Sequence, residues 1–289
     1  MTSVETNSVT VLRRRFRILR LTVVLVMASF AANALVAGKA RVYQSPNSLT
    51  PLQLEIEKQK QRLASTEIED RRDALMRLSA LRREEASRVA LTALGDPIPI
   101  VRATAAYALL SLPREEAAMA LIPLLQDKDE FVRQQASYAL GRTRSRAAIS
   151  PLIDRSRTDK KDSVRAAAVV ALGQIGDESA VVALAEVLST TGSSSKKGKT
   201  KKNEFVLRAA AHSLGEIGSR AGVPVLIEAL ANDYLAGDVR REAAHALGLI
   251  GDPAAIPALR SASIEADAHL SQIASEALRR IAANSTKRS

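Results

Sequence analysis

The sequence contains no cysteine and no tryptophan, and it has only four phenylalanines and four tyrosines. The missing cysteine excludes a disulfide framework, a thiolate nucleophile, a cysteine-ligated zinc site and a lipid-modified N-terminal cysteine. Apolar residues nevertheless make up 46% of the 289 residues, so the core must be built mainly from Ala, Leu, Val and Ile. This composition favours closely packed helices over a β-sandwich, which normally uses more aromatic residues and glycine-rich turns.

Acidic residues are scarce in two segments, and these two segments account for most of the net positive charge. Of the net charge of +11, residues 1–34 carry +4 and residues 189–203 carry +5, which leaves +2 for the remainder. The body of the protein is therefore close to electrically balanced, and the total charge overstates the case for nucleic-acid binding.

The first forty residues predict a segment that directs export. Five arginines lie within residues 13–20, and an apolar run without charge follows over residues 21–32. An Ala-x-Ala site over residues 32–34 completes the pattern of a secretory signal peptide, cleaved near Ala34. We therefore expect the body of the protein to be exported to the periplasm or another extracytoplasmic space.

An uncleaved membrane anchor is the alternative interpretation. The apolar segment at residues 21–38 is close to the ~20 residues that a membrane-spanning helix needs. Because the basic cluster precedes this segment, the N-terminus would stay in the cytoplasm and the body would lie outside the inner membrane. Residues 1–40 are thus assigned to a signal peptide or signal anchor, and the proline-containing residues 41–51 to a linker.

One pattern recurs through the rest of the chain. A Val-Arg pair is followed by Ala three residues after the Arg, by Leu seven after it and often by Gly eight after it, as in Val164-Arg165-Ala168-Leu172-Gly173. We number positions in each repeat from this Arg. Successive reference positions are 31, 31, 32, 42, 33 and 31 residues apart. They are Arg71, Arg102, Arg133, Arg165, Leu207, Arg240 and Ser271.

The pattern predicts seven pairs of α-helices. Positions −1, +3, +7 and +10 form one apolar stripe on a helix, because they recur every three or four residues. The Gly at +8 lies near the end of that helix, where either chain termination or tight packing can use it. Shorter apolar segments between these helices carry proline, which suits the first turn of a helix. These prolines are Pro123, Pro151, Pro224 and Pro257.

The repeats resemble HEAT repeats of the short, phycobilisome-lyase-like type over residues 66–283. This resemblance implies an all-α fold, an α-solenoid of about seven helix pairs over residues 52–289. It also implies that the second helix of each pair, which carries the Val-Arg pattern, lines the concave face. One pair cannot bury its own apolar face, so neighbouring pairs must complete the core.

Aspartates recur six residues before the reference arginine, at Asp96, Asp127 and Asp159. An acidic side chain at this point can accept hydrogen bonds from free N–H groups beside a helix start. We predict that the arginines pair with acids of adjacent repeats and form a structural ladder. A groove for a charged ligand is the alternative.

No catalytic residue, cofactor-binding residue or metal ligand is predicted, and we expect that the protein is not an enzyme. The chain has three histidines and no His-Glu dipeptide, so it lacks the motif that supplies the di-iron site of HEAT-type deoxyhypusine hydroxylases. It also lacks a glycine-rich phosphate loop, a Gly-x-Ser-x-Gly elbow and a His-Glu-x-x-His site.

Position +5 is the predicted partner-binding column, because it lies off the apolar stripe and should point partly outward. It holds two of the four tyrosines, Tyr107 and Tyr138, and two of the three histidines, His212 and His245. Tyrosine offers contact area together with a polar tip, which favours it at interfaces. Rim packing between helices is the alternative role. Neighbouring positions add Gln135, Arg142 and Arg241 to the predicted surface.

The 42-residue step contains a low-complexity segment, residues 190–203, which we predict to be a disordered insertion. Its lysines provide a second hypothesis, in which the chain binds an anionic polymer or a membrane surface. They are Lys196, Lys197, Lys199, Lys201 and Lys202. The first hypothesis remains an exported or membrane-anchored scaffold that binds a protein partner on the concave face, which the second helices are expected to line. A lyase-type or chaperone-like accessory protein is a further alternative.

Overall fold

The computed structural model describes residues 49–189 and 204–286. Across these residues the chain forms fourteen α-helices and no β-strand. The chain divides into two units, residues 1–54 and 55–289, and the packing described below belongs to the second. The predicted signal or anchor at residues 1–40, nearly all of the 41–51 linker and the insertion at 190–203 lie outside the described residues.

The helices come in pairs that follow the sequence repeats. The first helices of the pairs are α1 Pro51–Arg62, α3 Glu84–Ala90, α5 Arg114–Leu121, α7 Ile149–Thr158, α9 Val181–Ser189, α11 Val223–Ala231 and α13 Ile256–Ala262. The second helices are α2 Ile68–Leu81, α4 Pro99–Ala108, α6 Glu130–Thr143, α8 Asp162–Ile175, α10 Glu204–Ile217, α12 Gly237–Ile250 and α14 Ala268–Thr286. This confirms the predicted seven pairs in the described part of the chain.

Each second helix packs against the second helix of the next pair, from α2 through α14 in chain order. The first helices of pairs two to seven pack against the second helix of their own pair, directly or through an adjoining 3-10 turn. The apolar stripe supplies the core of the stack. In α8, for example, Val164, Ala168 and Leu172 have no exposed surface, as positions −1, +3 and +7 require.

The glycine at position +8 lies where two second helices touch. A Cβ atom added to Gly141 would lie 2.8 Å from the Cα of Ala171, and one added to Gly215 would lie 2.9 Å from the Cα of Ala246. Real Cβ atoms do not approach a backbone this closely, so only glycine fits. Tight packing, rather than chain termination, therefore explains this glycine.

The helices end three residues later, at position +11. Gly176, Gly218 and Gly251 adopt positive φ angles of 74°, 73° and 71° there. Two arginines, Arg82 and Arg144, hold the same left-handed conformation at the ends of α2 and α6, with φ of 50° and 53°. A residue with a Cβ adopts this conformation at an energetic cost that glycine avoids.

The prediction that four prolines occupy corresponding first turns is wrong for Pro123. Pro151, Pro224 and Pro257 lie within the first three residues of α7, α11 and α13. Pro123 instead follows the end of α5, in a 3-10 segment over Ile122–Gln126. Proline has no N–H to continue the α-helical hydrogen-bond pattern, which suits this tighter turn. α3 ends in the same way without a proline, in a 3-10 segment over Leu91–Gly95.

The predicted ladder of arginines and aspartates is confirmed at the N-terminal ends of α2, α4 and α6. Arg102 donates two hydrogen bonds to the carboxylate of Asp127 in the next repeat, both 2.7 Å long. A third bond, of 2.7 Å, runs from Arg102 to the backbone carbonyl of Asp96 in its own repeat. Arg71 and Arg133 make the equivalent contacts, with Asp96 and Asp159 as their carboxylate partners.

Each ladder aspartate also organises its own turn. The Asp127 carboxylate accepts a hydrogen bond from the N–H of Asp129, just before α6 begins. Burial raises the pKa of Asp127, but the hydrogen bonds from Arg102 and from this N–H outweigh burial, and the pKa lies below its ordinary value. The aspartate is thus held ionised between two repeats, which supports the structural interpretation of the ladder over a ligand groove.

A second series of polar contacts joins the turns at the opposite ends of the second helices. Sequence analysis did not predict it. Each contact joins a residue of one turn to a residue of the next turn, and the residue types differ from one contact to another. The pairs are Glu115 with Ser145, Arg146 with Asp177, Glu178 with Ser219, and Arg220 with Asp252.

The arginine ladder changes at the long sequence step, where Leu207 takes the reference position and is buried. There the α8–α10 contact contains a different polar link. The buried Ser213 hydroxyl donates a 3.0 Å hydrogen bond to the carbonyl oxygen of Val169. The close packing of second helices therefore continues through this repeat without the reference arginine.

We expect Asp127→Asn to lower the free energy of unfolding at pH 7 by about 3 kcal/mol, because it breaks a buried ion pair. The pKa of Asp127 is lower in the folded than in the unfolded chain, where it is about 3.9. The stabilisation is therefore complete above the unfolded pKa and is lost as pH falls through the folded one. Urea unfolding at pH 7 and pH 3 measures the effect.

The matched control is Asp154→Asn, since this aspartate is 58% exposed and its ion pair is long, at 3.5 Å. We expect little change from it at either pH. A deficit of Asp127→Asn that is equally large at pH 3 would contradict the assignment of Asp127 as an ionised ladder residue.

Candidate functional site

The outward side of the second helices is formed by positions −2, +5 and +9, which we call the outward stripe. Seven and four residues separate these positions, so they lie on one face of a helix. Every described residue at these positions is at least partly exposed. The predicted +5 column therefore does point partly outward, with the side chains of His212 and His245 about two-fifths exposed (43% and 40%).

Four of the seven predicted partner-binding residues lie together on α4 and α6. Tyr107 and Tyr138 occupy position +5 of these neighbouring helices, and Gln135 and Arg142 lie one turn to either side of Tyr138. Burial raises the pKa of Tyr107, while the charge of Arg142 lowers it and Tyr138 raises it slightly. The three side chains are therefore close enough to interact, and we call the four residues the tyrosine surface.

The outward stripe around the tyrosine surface is nearly uncharged. On α4, α6 and α8 it carries one charge, at Arg142. The other residues of the stripe are Ile100, Tyr107, Phe131, Tyr138, Ser163, Val170 and Gln174 on these helices, and Ser111 in the turn that follows α4. Interface cores are depleted in charge and enriched in aromatic residues and arginine, so this part of the stripe has the composition of an interface.

The other three predicted residues, His212, His245 and Arg241, lie apart on α10 and α12. Each of them contacts an acidic side chain. The Nδ1 atom of His212 lies 2.9 Å from Oε1 of Glu242, and that of His245 lies 3.4 Å from the same oxygen. Arg241 pairs with Asp238 at 2.6 Å and with Asp267 at 2.7 Å. These side chains already have partners within the chain, which favours rim packing for this part of the column.

The imidazole–carboxylate cluster does not have the geometry of a metal site. Among the described residues, no group of three or more histidines, aspartates and glutamates could hold a metal ion. The cluster is therefore best described as a hydrogen-bonded contact, in which His212 of α10 and His245 of α12 share the carboxylate of Glu242 on α12.

Sequence analysis missed two aromatic residues of the outward stripe. Phe131 and Phe205, both at position −2, are 42% and 51% exposed. Arg208 lies over the ring of Phe205, at 5.7 Å from its centroid. The signal was present, because −2 lies two helical turns before +5 and so shares its face.

The lysines of the second hypothesis, which run from Lys196 to Lys202, lie outside the described residues. Among the helices that the structure describes, none combines the length and the hydropathy that a membrane span requires.

Comparisons with known proteins were made for the whole chain. A family model described as HEAT repeats matches residues 56–140, 92–173, 120–195 and 199–281. No curated protein matches the chain.

Several solved structures are similar. Human deoxyhypusine hydroxylase in complex with glycerol is 22% identical, over 79% of this chain and 96% of that one, with a TM-score of 0.36. The complex of CpcE and CpcF of phycocyanin lyase from Nostoc sp. PCC7120 is 25% identical, over 82% and 91%, with a TM-score of 0.47. An engineered protein is 24% identical, over 79% and 68%, with a TM-score of 0.45.

Proposed function

Because this chain belongs to the HEAT-repeat family, we propose that it is a non-catalytic scaffold that binds a protein partner on the tyrosine surface of α4 and α6. HEAT repeats generally mediate contacts between proteins. The observation that carries the proposal is the concentration of partly exposed aromatic residues on two adjacent helices of a chain that has only eight tyrosines and phenylalanines in all.

Three physical features support binding at this surface. Tyr107, Tyr138 and Phe131 provide rigid apolar area that a partner can bury. Arg142 provides a charge beside them, and it makes no hydrogen bond or ion pair with any other described residue. Position +5 lies outside the buried stripe, so the stripe itself does not require large side chains there, although both tyrosines are partly buried.

The lack of catalytic activity is part of the same proposal. It is supported by the sequence, which has no cysteine and none of the nucleophile, phosphate-binding or zinc-protease motifs.

The binding test uses a photo-crosslinking amino acid in place of Tyr138, in the full-length chain in its native cells. We expect adducts with a protein partner from this position. The control position is Met119, which is 72% exposed on α5 of the same repeat but lies off the second helices. Adducts at Met119 with none at Tyr138 would contradict the proposal.

Removing the aromatic rings gives the quantitative prediction. We expect Tyr107→Ala combined with Tyr138→Ala to weaken capture of the cross-linked partner by roughly thirtyfold or more, as the loss of an interface anchor does. Helical content and melting should change little. Tyr234→Ala is the matched control, because Tyr234 is 86% exposed and lies in the turn before α12. Equal loss of capture in both variants would refute the assignment.

An extracytoplasmic location is the second part of the proposal. It is supported by the arginines at residues 13–20 that precede the apolar run at residues 21–32. A reporter that is active only outside the cytoplasm, fused after Ser289, is expected to be active. An inactive reporter, together with an active cytoplasmic reporter at the same point, would show that the body stays inside.

A further inference from the structure

The C-terminal ends of the second helices form a row along one edge of the stack. The arginine ladder joins their N-terminal ends in chain order, and positions +8 and +6 meet further along them, so adjacent second helices run in parallel. In the first three repeats this edge carries five exposed arginines. We call them the arginine edge: Arg82, Arg83, Arg114, Arg142 and Arg144.

The arginine edge has no neutralising partners of its own. None of its five side chains makes a hydrogen bond or an ion pair with another residue of the described ranges 49–189 and 204–286. Most acids of the same edge are engaged elsewhere. Glu84 and Glu116 both pair with Arg88, and Glu115 accepts a hydrogen bond from Ser145. The edge therefore presents unpaired positive charge.

We propose that the arginine edge binds an extended acidic segment of a partner protein, which continues onto the tyrosine surface through Arg142. This inference rests on the proposed function, since it names the chemistry of the partner. Arginine suits this role because its planar guanidinium forms paired hydrogen bonds with a carboxylate.

Two of these arginines occupy positions that favour glycine. Arg82 and Arg144 have positive φ angles, at the helix ends where α8, α10 and α12 have Gly176, Gly218 and Gly251. An arginine can offset the negative end of a helix dipole, but α8, α10 and α12 end without one. After their glycines come Asp177, Ser219 and Asp252. The left-handed arginines are therefore explained by what their side chains bind, and not by a need of the helix end.

The spacing of the row sets the spacing of the acids. Packed helices lie about 8–10 Å apart, and an extended chain advances about 3.3 Å per residue. Carboxylates at every third residue of the partner would thus meet the arginines that lie at the ends of successive second helices. A nucleic acid fits less well, because its charge at every nucleotide would also meet the acidic helix starts at Glu85 and Glu115, which lie between the arginine groups.

The test uses the full-length protein and a fluorescent peptide of four Glu-Pro-Leu units. Proline-rich peptides adopt an extended helix with about 3.1 Å per residue, so the glutamates are about 9 Å apart. We expect fluorescence anisotropy to show binding that weakens as salt increases. A peptide with glutamine in place of every glutamate should bind at least about tenfold more weakly.

The protein variant combines Arg82→Gly, Arg144→Gly and Arg114→Gln. We expect at least about a tenfold loss of peptide affinity, with a melting midpoint that is unchanged or higher, because glycine suits both left-handed positions. The matched control removes three exposed charges elsewhere, by Lys128→Gln, Lys160→Gln and Arg260→Gln. It should bind the peptide within about twofold of the unmodified protein.

Three results would overturn the inference. One is an equal loss of peptide binding in the edge variant and the control variant. Another is tighter binding of single-stranded oligothymidine than of the acidic peptide, lost in the edge variant, which would make the edge a nucleic-acid site. The third is an edge variant that binds the peptide normally. In that case, adducts from the cross-linker at Tyr138 would show that the proposed function holds although the inference about the arginine edge fails.

Discussion

Adjacent second helices approach each other so closely that the backbone of one lies against a residue without a side chain in the next. Gly141, Gly173, Gly215 and Gly248 each face an alanine or a serine at position +6 of the following repeat. Close approach maximises dispersion contact between helices that have few large side chains. It also fixes the rotation of each helix, which decides which positions are buried and which form the outward stripe.

The polar contacts at the two ends of the helices depend on this approach. At the N-terminal ends, a bidentate arginine such as Arg102 reaches Asp127 of the next repeat because the two helices are side by side. At the C-terminal ends, contacts such as Glu178 with Ser219 join successive turns. The α10–α12 contact shows the order of importance. The reference position of α10 holds Leu207 in place of an arginine, yet α10 and α12 still pack through Gly215 and Ala246.

The sequence was sufficient to predict the helix pairs and the first ladder, because both rest on residues that recur at a constant spacing. Val164, Ala168 and Leu172 define a buried stripe. The constant six-residue spacing of pairs such as Asp127 and Arg133 predicts the ladder, whose carboxylate contacts join successive repeats. The second series of polar contacts, at the opposite ends of the second helices, could not be predicted in this way. Glu115 with Ser145 and Arg146 with Asp177 place different residue types at equivalent points, so no spacing reveals them.

The site was predicted in part for a similar physical reason. Tyr107 and Tyr138 could be found from the helical period, and the same period could have found Phe131. Whether an exposed side chain already has a hydrogen-bond or ion-pair partner depends on residues of other repeats, and a pattern within one repeat does not show those residues. His212 and Arg241 share the outward side with the tyrosines, but Glu242 and Asp267 hold them. Arg142 has no such partner among the described residues, and the arginine edge follows from that difference.

The central claim is that close approach of the second helices holds the stack together, and a pair of glycine substitutions tests it most directly. Alanine favours a helix over glycine by about 1 kcal/mol, but a Cβ at Gly215 would lie 2.9 Å from the backbone of Ala246. We therefore predict that Gly215→Ala lowers the free energy of unfolding by about 1–3 kcal/mol through overpacking. Gly95→Ala is the control, since a Cβ there meets nothing within 4 Å. A Gly215→Ala protein that is as stable as the unmodified chain in urea unfolding would contradict the account.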